Sequence, residues 1–287
     1  MSFITSKTVR TILLALFAVG LLTACGSDNT TSNTASSSAT KNSATTASVM
    51  LKHSPAGTAD LAWDPATHAL TVNILLLGLV PDSKHPAHIH AGSCAKAGNV
   101  VYPLQDVIAD ETGSGSSTSV IKDVTDGIPA TGWYINVHNG PGLSPETQFL
   151  PISCGNIANP KATTKSAQRI QILLGITPSP NQAASGGAQL TLSGGKLTVA
   201  LSLQGLVPGS VHAAHIHSGS CGNAGKPLYD LKPIVANSAG KGSSTTVISS
   251  VSSLPAIGWY ISVHLTTDMT TQTSDDSIAC GDVLLSH

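Results

Sequence analysis

His85-Pro86-Ala87-His88-Ile89-His90-Ala91-Gly92-Ser93-Cys94 and His212-Ala213-Ala214-His215-Ile216-His217-Ser218-Gly219-Ser220-Cys221 are two copies of one run. Each follows an apolar stretch ending in Gly-Leu-Val-Pro, at Gly78–Pro81 and Gly205–Pro208. Downstream of each lies a Trp-Tyr-Ile-x-Val-His run (Trp133–His138 and Trp259–His264), and later Cys-Gly (Cys154-Gly155 and Cys280-Gly281). The copies are offset by 127 residues at His88/His215 and Cys94/Cys221, and by 126 at Trp133/Trp259 and Cys154/Cys280. So constant a spacing across four landmarks marks a duplicated domain.

Around these landmarks the chain reads as strands. Ala69-Leu70-Thr71-Val72-Asn73-Ile74-Leu75 matches Lys196-Leu197-Thr198-Val199-Ala200-Leu201-Ser202, and the second alternates apolar and polar with period two. Asp64-Pro65 and Ser193-Gly194-Gly195 supply turns ahead of them. No stretch after residue 50 carries a helical period. The spacing predicts an all-β fold, one sandwich or barrel per repeat. Repeat one is placed at 48–158 and repeat two at 168–287, with a polar linker over 159–167. Each repeat is expected to carry its own strands and to fold alone.

Composition narrows the function. Charged residues are 10% of the chain, the net charge is −1 and aromatics are 3%. No basic patch suggests nucleic acid as a partner, and no acidic block suggests a cation sponge. At the N-terminus Lys7 and Arg10 precede the apolar run Ile12–Leu22, too short for a comfortable membrane span. The run ends in Leu22-Thr23-Ala24-Cys25-Gly26, which resembles a bacterial lipobox. That resemblance implies a signal peptide over 1–24, lipidation of Cys25, and a membrane anchor in the cell envelope. Residues 25–47, rich in Ser, Thr, Asn and Ala, read as a flexible tether.

Five cysteines less the lipidated Cys25 leave four, two per repeat. An exported protein pairs such cysteines. Four allow three connectivities, of which the repeat favours Cys94–Cys154 and Cys221–Cys280. Each would close a loop of about 60 residues, worth roughly 4 kcal/mol on the chain-entropy view.

Alternate residues of a strand share a face. His88 and His90 therefore lie side by side with Ile89 turned to the opposite layer, and His215, Ile216 and His217 repeat the pattern. Two imidazoles so held can chelate a metal; His138 and His264 supply a third ligand, and His85 and His212 a fourth. Imidazole-rich sites suit copper and zinc, with Cu(II) the tighter binder in the divalent series. Eight of the eleven histidines fall into these two sets of four. The competing reading is structural, with the imidazoles only hydrogen-bonding between strands. His53, His68 and His287 have no repeat partner and are expected to be solvated.

The runs Ala87-His88-Ile89-His90-Ala91-Gly92 and Tyr134-Ile135-Asn136-Val137-His138 resemble the chordin-type (CHRD) domain. The same residues, with Gly219-Ser220-Cys221 and Ile278-Ala279-Cys280-Gly281, also resemble Cu,Zn superoxide dismutase. This similarity implies a Greek-key β-barrel or sandwich of the dismutase-like type in each repeat, and the same disulfide pairing. It also implies copper ligation by His88, His90 and His138, and by His215, His217 and His264. The resemblance does not extend to zinc, since no histidine occurs from 91 to 137 or from 218 to 263. The arginine three residues before the last cysteine is also replaced, by Pro151 and Ser277. No zinc site is therefore expected. A copper-binding or accessory role is favoured, ahead of a copper-only dismutase and of an adhesive or structural β-module. Nothing in the sequence identifies a protein partner.

Overall fold

The computed structural model describes residues 44–144, 146–175, 181 and 183–286. The stretch read as a signal peptide, Cys25, most of the stretch read as a tether, and His287 lie outside the described residues. Among those described, no helix is long and apolar enough to cross a membrane.

Among the described residues, the regular structure consists almost wholly of strands. In order they are β1 (Thr45–His53), β2 (Ala56–Asp64), β3 (Ala69–Leu77), β4 (Lys84–His85), β5 (Ala87–Ser93), β6 (Lys96–Pro103), β7 (Val107–Ala109), β8 (Ser114–Ile121), β9 (Trp133–His138) and β10 (Pro151–Asn156). The second set runs β11 (Gln168–Leu174), β12 (Ser185–Ser193), β13 (Lys196–Gln204), β14 (Val211–Ser220), β15 (Asn223–Val235), β16 (Gly242–Ser249), β17 (Trp259–His264), β18 (Ser277–Asp282) and β19 (Leu284–Leu285). Two single-turn helices, α1 (Glu146–Phe149) and α2 (Gln272–Asp275), precede β10 and β18.

Local sequence explains the hairpins. Strands β12 and β13 are joined by Gly194-Gly195, both at positive φ, where a residue with a side chain would be strained. Between β2 and β3 the Asp64 carboxylate accepts from the Ala66 N–H and the Thr67 hydroxyl and holds the turn. In β3 and β13 buried and open residues alternate, as the period-two reading predicts.

In repeat two the sheet runs β15-β14-β17-β18-β1-β12-β13-β16, and β19 also pairs with β1. Its ends approach each other, the Lys232 N–H of β15 donating to the Thr246 hydroxyl of β16, so the sheet is nearly a closed barrel. The neighbours β13–β16 and β14–β17 are crossovers of Greek-key kind. Repeat one has the sheets β10-β9-β5-β6 and β11-β2-β3-β8-β7-β4, which meet where the Gly175 N–H donates to the Cys154 carbonyl. Each repeat surrounds its own apolar core, with Ile89 fully buried in one and Ile216 in the other.

The sheets nevertheless cross the boundary between repeats, which corrects the expectation that each repeat carries all its own strands. Strand β1 pairs with β12, placing Val49 opposite Ala188, and puts Ala47, Val49 and Leu51 into the core of repeat two. Strand β11 pairs with β2, placing Ile172 opposite Ala59, and puts Ile172 and Leu174 into the core of repeat one. The glycine of each Cys-Gly pair makes room for the visiting strand. A Cβ on Gly155 would run into the Leu173 carbonyl, and one on Gly281 into the Met50 carbonyl. The disulfides Cys94–Cys154 and Cys221–Cys280 are both formed.

Candidate metal centre

Strand register sets the site. In repeat one β5 pairs with β9, with His88 opposite Asn136, Ile89 opposite Ile135 and His90 opposite Tyr134. Directly opposite residues share a face, so His88, His90, Tyr134, Asn136 and His138 project together while Ile89 and Ile135 enter the core. In repeat two β14 and β17 reproduce this with His215 opposite Ser262 and His217 opposite Tyr260. On the far side β5 is bulged against β6 at His90, and β14 against β15 at His217. Bulges of this kind re-aim a side chain. Gly92 and Gly219, just beyond, take positive φ values of 104° and 102° that a side chain would resist.

The result is two matching clusters. His88, His90 and His138 each place one ring nitrogen within 4.8 Å of the other two, and His215, His217 and His264 do the same. Backbone carbonyls fix the rings. His90 Nδ1 donates to the Gly98 carbonyl at 3.1 Å, and His217 Nδ1 to that of Gly225 at 3.1 Å. His138 Nδ1 donates to the Phe149 carbonyl at 2.6 Å, and His264 Nδ1 to that of Asp275 at 2.6 Å. A carbonyl only accepts, so Nδ1 carries the proton in each and Nε2 presents its lone pair. This orientation through the outer nitrogen is how metal-binding imidazoles are commonly held.

Buried nitrogens without partners test whether a metal fits. They are His88 Nδ1 and His90 Nε2 in repeat one, and His215 Nδ1, His217 Nε2 and His264 Nε2 in repeat two. Unpaired buried polar atoms are costly and rare in folded proteins. Here they cluster on the side chains whose nitrogens converge, and a bound cation would satisfy them. His138 Nε2 differs, because the Asn136 amide donates to it at 3.3 Å. The donor sets fit a transition metal with one coordination position left open.

Burial favours the neutral ring at His88, His138, His215, His217 and His264. It pushes His138 down to about 4 against the favourable Phe149 carbonyl, with repulsion from His88 and His90 adding to the shift. His264 is likewise pushed down to about 4 by burial, opposed by the Asp275 carbonyl. Burial also lowers His88, His215 and His217. Neutral imidazole is the form that ligates.

His85 and His212 are not part of either cluster, and the expectation that they supply a fourth ligand is corrected. Both are fully buried. His85 Nδ1 donates to the His138 carbonyl at 2.9 Å, and its Nε2 lies 2.8 Å from the Ser83 hydroxyl. His212 repeats this with the His264 carbonyl and Ser210. With both nitrogens engaged, these rings brace the strand that carries the third ligand. His53 is also not solvated: it is partly buried, and its Nε2 donates to the Ile152 carbonyl at 2.9 Å. His68 is exposed, as expected.

Two contributors escaped the sequence reading. Tyr134 stacks on His90 with ring centroids 5.0 Å apart, and Tyr260 stacks on His217 at 5.0 Å. Tyr134 also packs on the Cys94–Cys154 disulfide, so the bridge supports the ring beneath a ligand. Position i−4 from His138 on one strand was the available signal. The other contributors are α1 and α2, whose last residues offer the carbonyls to His138 and His264. A single turn is too short to show a helical period.

A family model for the CHRD domain matches residues 30–141 and again 162–269. The chain belongs to the CHRD domain family. The two matches overlap the two repeats found from the spacing, and each contains a complete histidine triad, the first ending just past His138 and the second just past His264. A comparison with the curated proteins finds no match. In this CHRD protein the two disulfides argue for an oxidising, extracytoplasmic compartment.

Proposed function

We propose that the protein is an envelope lipoprotein, anchored through Cys25, whose two CHRD domains bind copper. The ligands are His88, His90 and His138 in repeat one, and His215, His217 and His264 in repeat two. The observation that carries this reading is the convergence, twice in one chain, of three imidazoles, among which two buried nitrogens in repeat one and three in repeat two have no other partner. Three neutral imidazoles suit copper and leave a position open, whereas a closed structural zinc site usually has four protein ligands. Bound copper would supply one-electron redox chemistry or a reservoir for transfer. Binding or delivery is favoured over dismutation, since the positions that would hold a guiding arginine are Pro151 and Ser277.

Metal analysis after copper loading and desalting tests it. The wild type is expected to hold two ions per chain, His88→Ala/His90→Ala one, and the variant that adds His215→Ala/His217→Ala none. Equal copper in the wild type and the quadruple variant would overturn the reading. For the anchor, Cys25→Ala is expected to move the protein from the membrane fraction to the soluble one; unchanged anchoring would remove the lipoprotein part alone.

A further inference from the structure

The two triads differ in the charge around them. In repeat two Asp230 lies opposite His215 in the β14–β15 pairing, and its carboxylate is 3.6 Å from His215 Nε2. The matching residue opposite His88 is Pro103. Asp275, whose carbonyl receives His264 Nδ1, also sets its carboxylate 3.3 Å from that nitrogen. The matching residue in repeat one is Phe149, whose ring lies 4.9 Å from the His138 ring. The acidic residue acting on His88 is Asp106, and Lys84 Nζ already holds it at 2.8 Å. Repeat two therefore surrounds its neutral imidazoles with two uncompensated carboxylates, and repeat one with none.

The third ligands differ as well. The Asn136 amide donates to His138 Nε2, so a metal entering repeat one must displace it. At the matching strand position repeat two has Ser262, whose hydroxyl donates to Ser277 instead, and His264 Nε2 is free. The repeat-two cluster also opens onto a cavity of about 440 Å³, against about 280 Å³ beside the repeat-one cluster.

From this asymmetry we infer that the two copper sites are specialised by oxidation state, repeat two for Cu(II) and repeat one for Cu(I). The inference rests on the copper reading above. Two carboxylates beside neutral ligands favour a divalent ion, the half-buried Asp275 more strongly than Asp230, whose charge is largely exposed and screened by water. With no net charge nearby and an aromatic ring beside the third ligand, the repeat-one triad is left with the smaller excess when the ion is monovalent.

Competition titrations with chelators of known affinity test it, using Cu(II) in air and Cu(I) with ascorbate without oxygen. His88→Ala/His90→Ala isolates the repeat-two site, and His215→Ala/His217→Ala the other. The repeat-two site is expected to bind Cu(II) at least tenfold more tightly than the repeat-one site. In the isolated repeat-two site, Asp230→Asn/Asp275→Asn should weaken Cu(II) at least tenfold and Cu(I) less than threefold. Retained Cu(I) binding also shows that this variant is folded. Met269 lines the same cavity, and its thioether favours Cu(I), so a parallel Met269→Leu comparison separates its effect from that of the carboxylates. In the isolated repeat-one site, Phe149→Asp should tighten Cu(II). Equal Cu(II) affinities at the two sites, or an Asp pair whose removal leaves Cu(II) unchanged or weakens both ions alike, would overturn the specialisation and leave copper binding intact. Failure of either site to bind either ion would overturn the copper reading itself.

Discussion

His85 and His212 each make two buried hydrogen bonds, one to the serine two residues before and one to the carbonyl of the third ligand. Replacement by alanine would strand those partners in the interior, at roughly 1–3 kcal/mol for each group left unpaired. We expect His85→Ala and His212→Ala each to lower stability by about 2–4 kcal/mol while two copper ions still bind. Denaturant unfolding and metal analysis of the same samples check this, and a lost ion with unchanged stability would restore these rings as ligands. Burial gives the apo protein a pH profile. His85, His138 and His264 are pushed down to about 4 from a free value of 6.5. Between those values the unfolded chain binds more protons than the folded one. The stability they contribute is therefore complete above 6.5 and is lost as pH falls toward 4. Asp276 acts in the opposite sense. Its carboxylate is buried, and burial with the neighbouring Asp275 charge pushes it well up against the opposing Val80 backbone N–H. It therefore destabilises the fold increasingly as pH rises above 3.8. Asp276→Asn is expected to raise the melting temperature at pH 8 and to leave the fall below pH 6.5 in place. A melting temperature unchanged by Asp276→Asn at pH 8 would contradict the burial of a charge there.

At the scale of elements, the strands and the His-x-His face were legible because period two is a property of the local sequence. Ile89 and Ile216 had to face the core once His88/His90 and His215/His217 faced out, and they do. The exchange of β1 and β11 was not legible. Each strand carries apolar residues suited to either core, and which sheet takes it depends on pairing between distant segments rather than on its own pattern. The fourth ligand was misplaced for a related reason. Spacing brought His85 near the strand, but only the tertiary fold shows that its nitrogens meet Ser83 and the His138 carbonyl. The exchange itself can be tested by splitting the chain near Asn159. Each half then lacks a strand of its own sheet and holds one belonging to the other. Co-expressed halves are expected to copurify as a one-to-one complex, and either half alone should unfold at lower denaturant than the full chain. Halves that ignore each other and unfold as the intact protein does would contradict it.

For the whole molecule, duplication and exchange together tie two similar centres into one body. The link is reinforced where Gln272 of α2 donates to the Lys84 and Asn139 carbonyls, and the Asn139 amide donates to the Thr273 carbonyl. Thus the turn that orients His264 in repeat two touches the residue following His138 in repeat one. Two such triads are proposed to hold copper. Anomalous diffraction at the copper edge, from crystals of copper-loaded protein, locates the ions directly. Two peaks per chain are expected, one among the converging nitrogens of His88, His90 and His138 and one among those of His215, His217 and His264. Loaded crystals with no peak at either triad, or with peaks only on other residues, would contradict it.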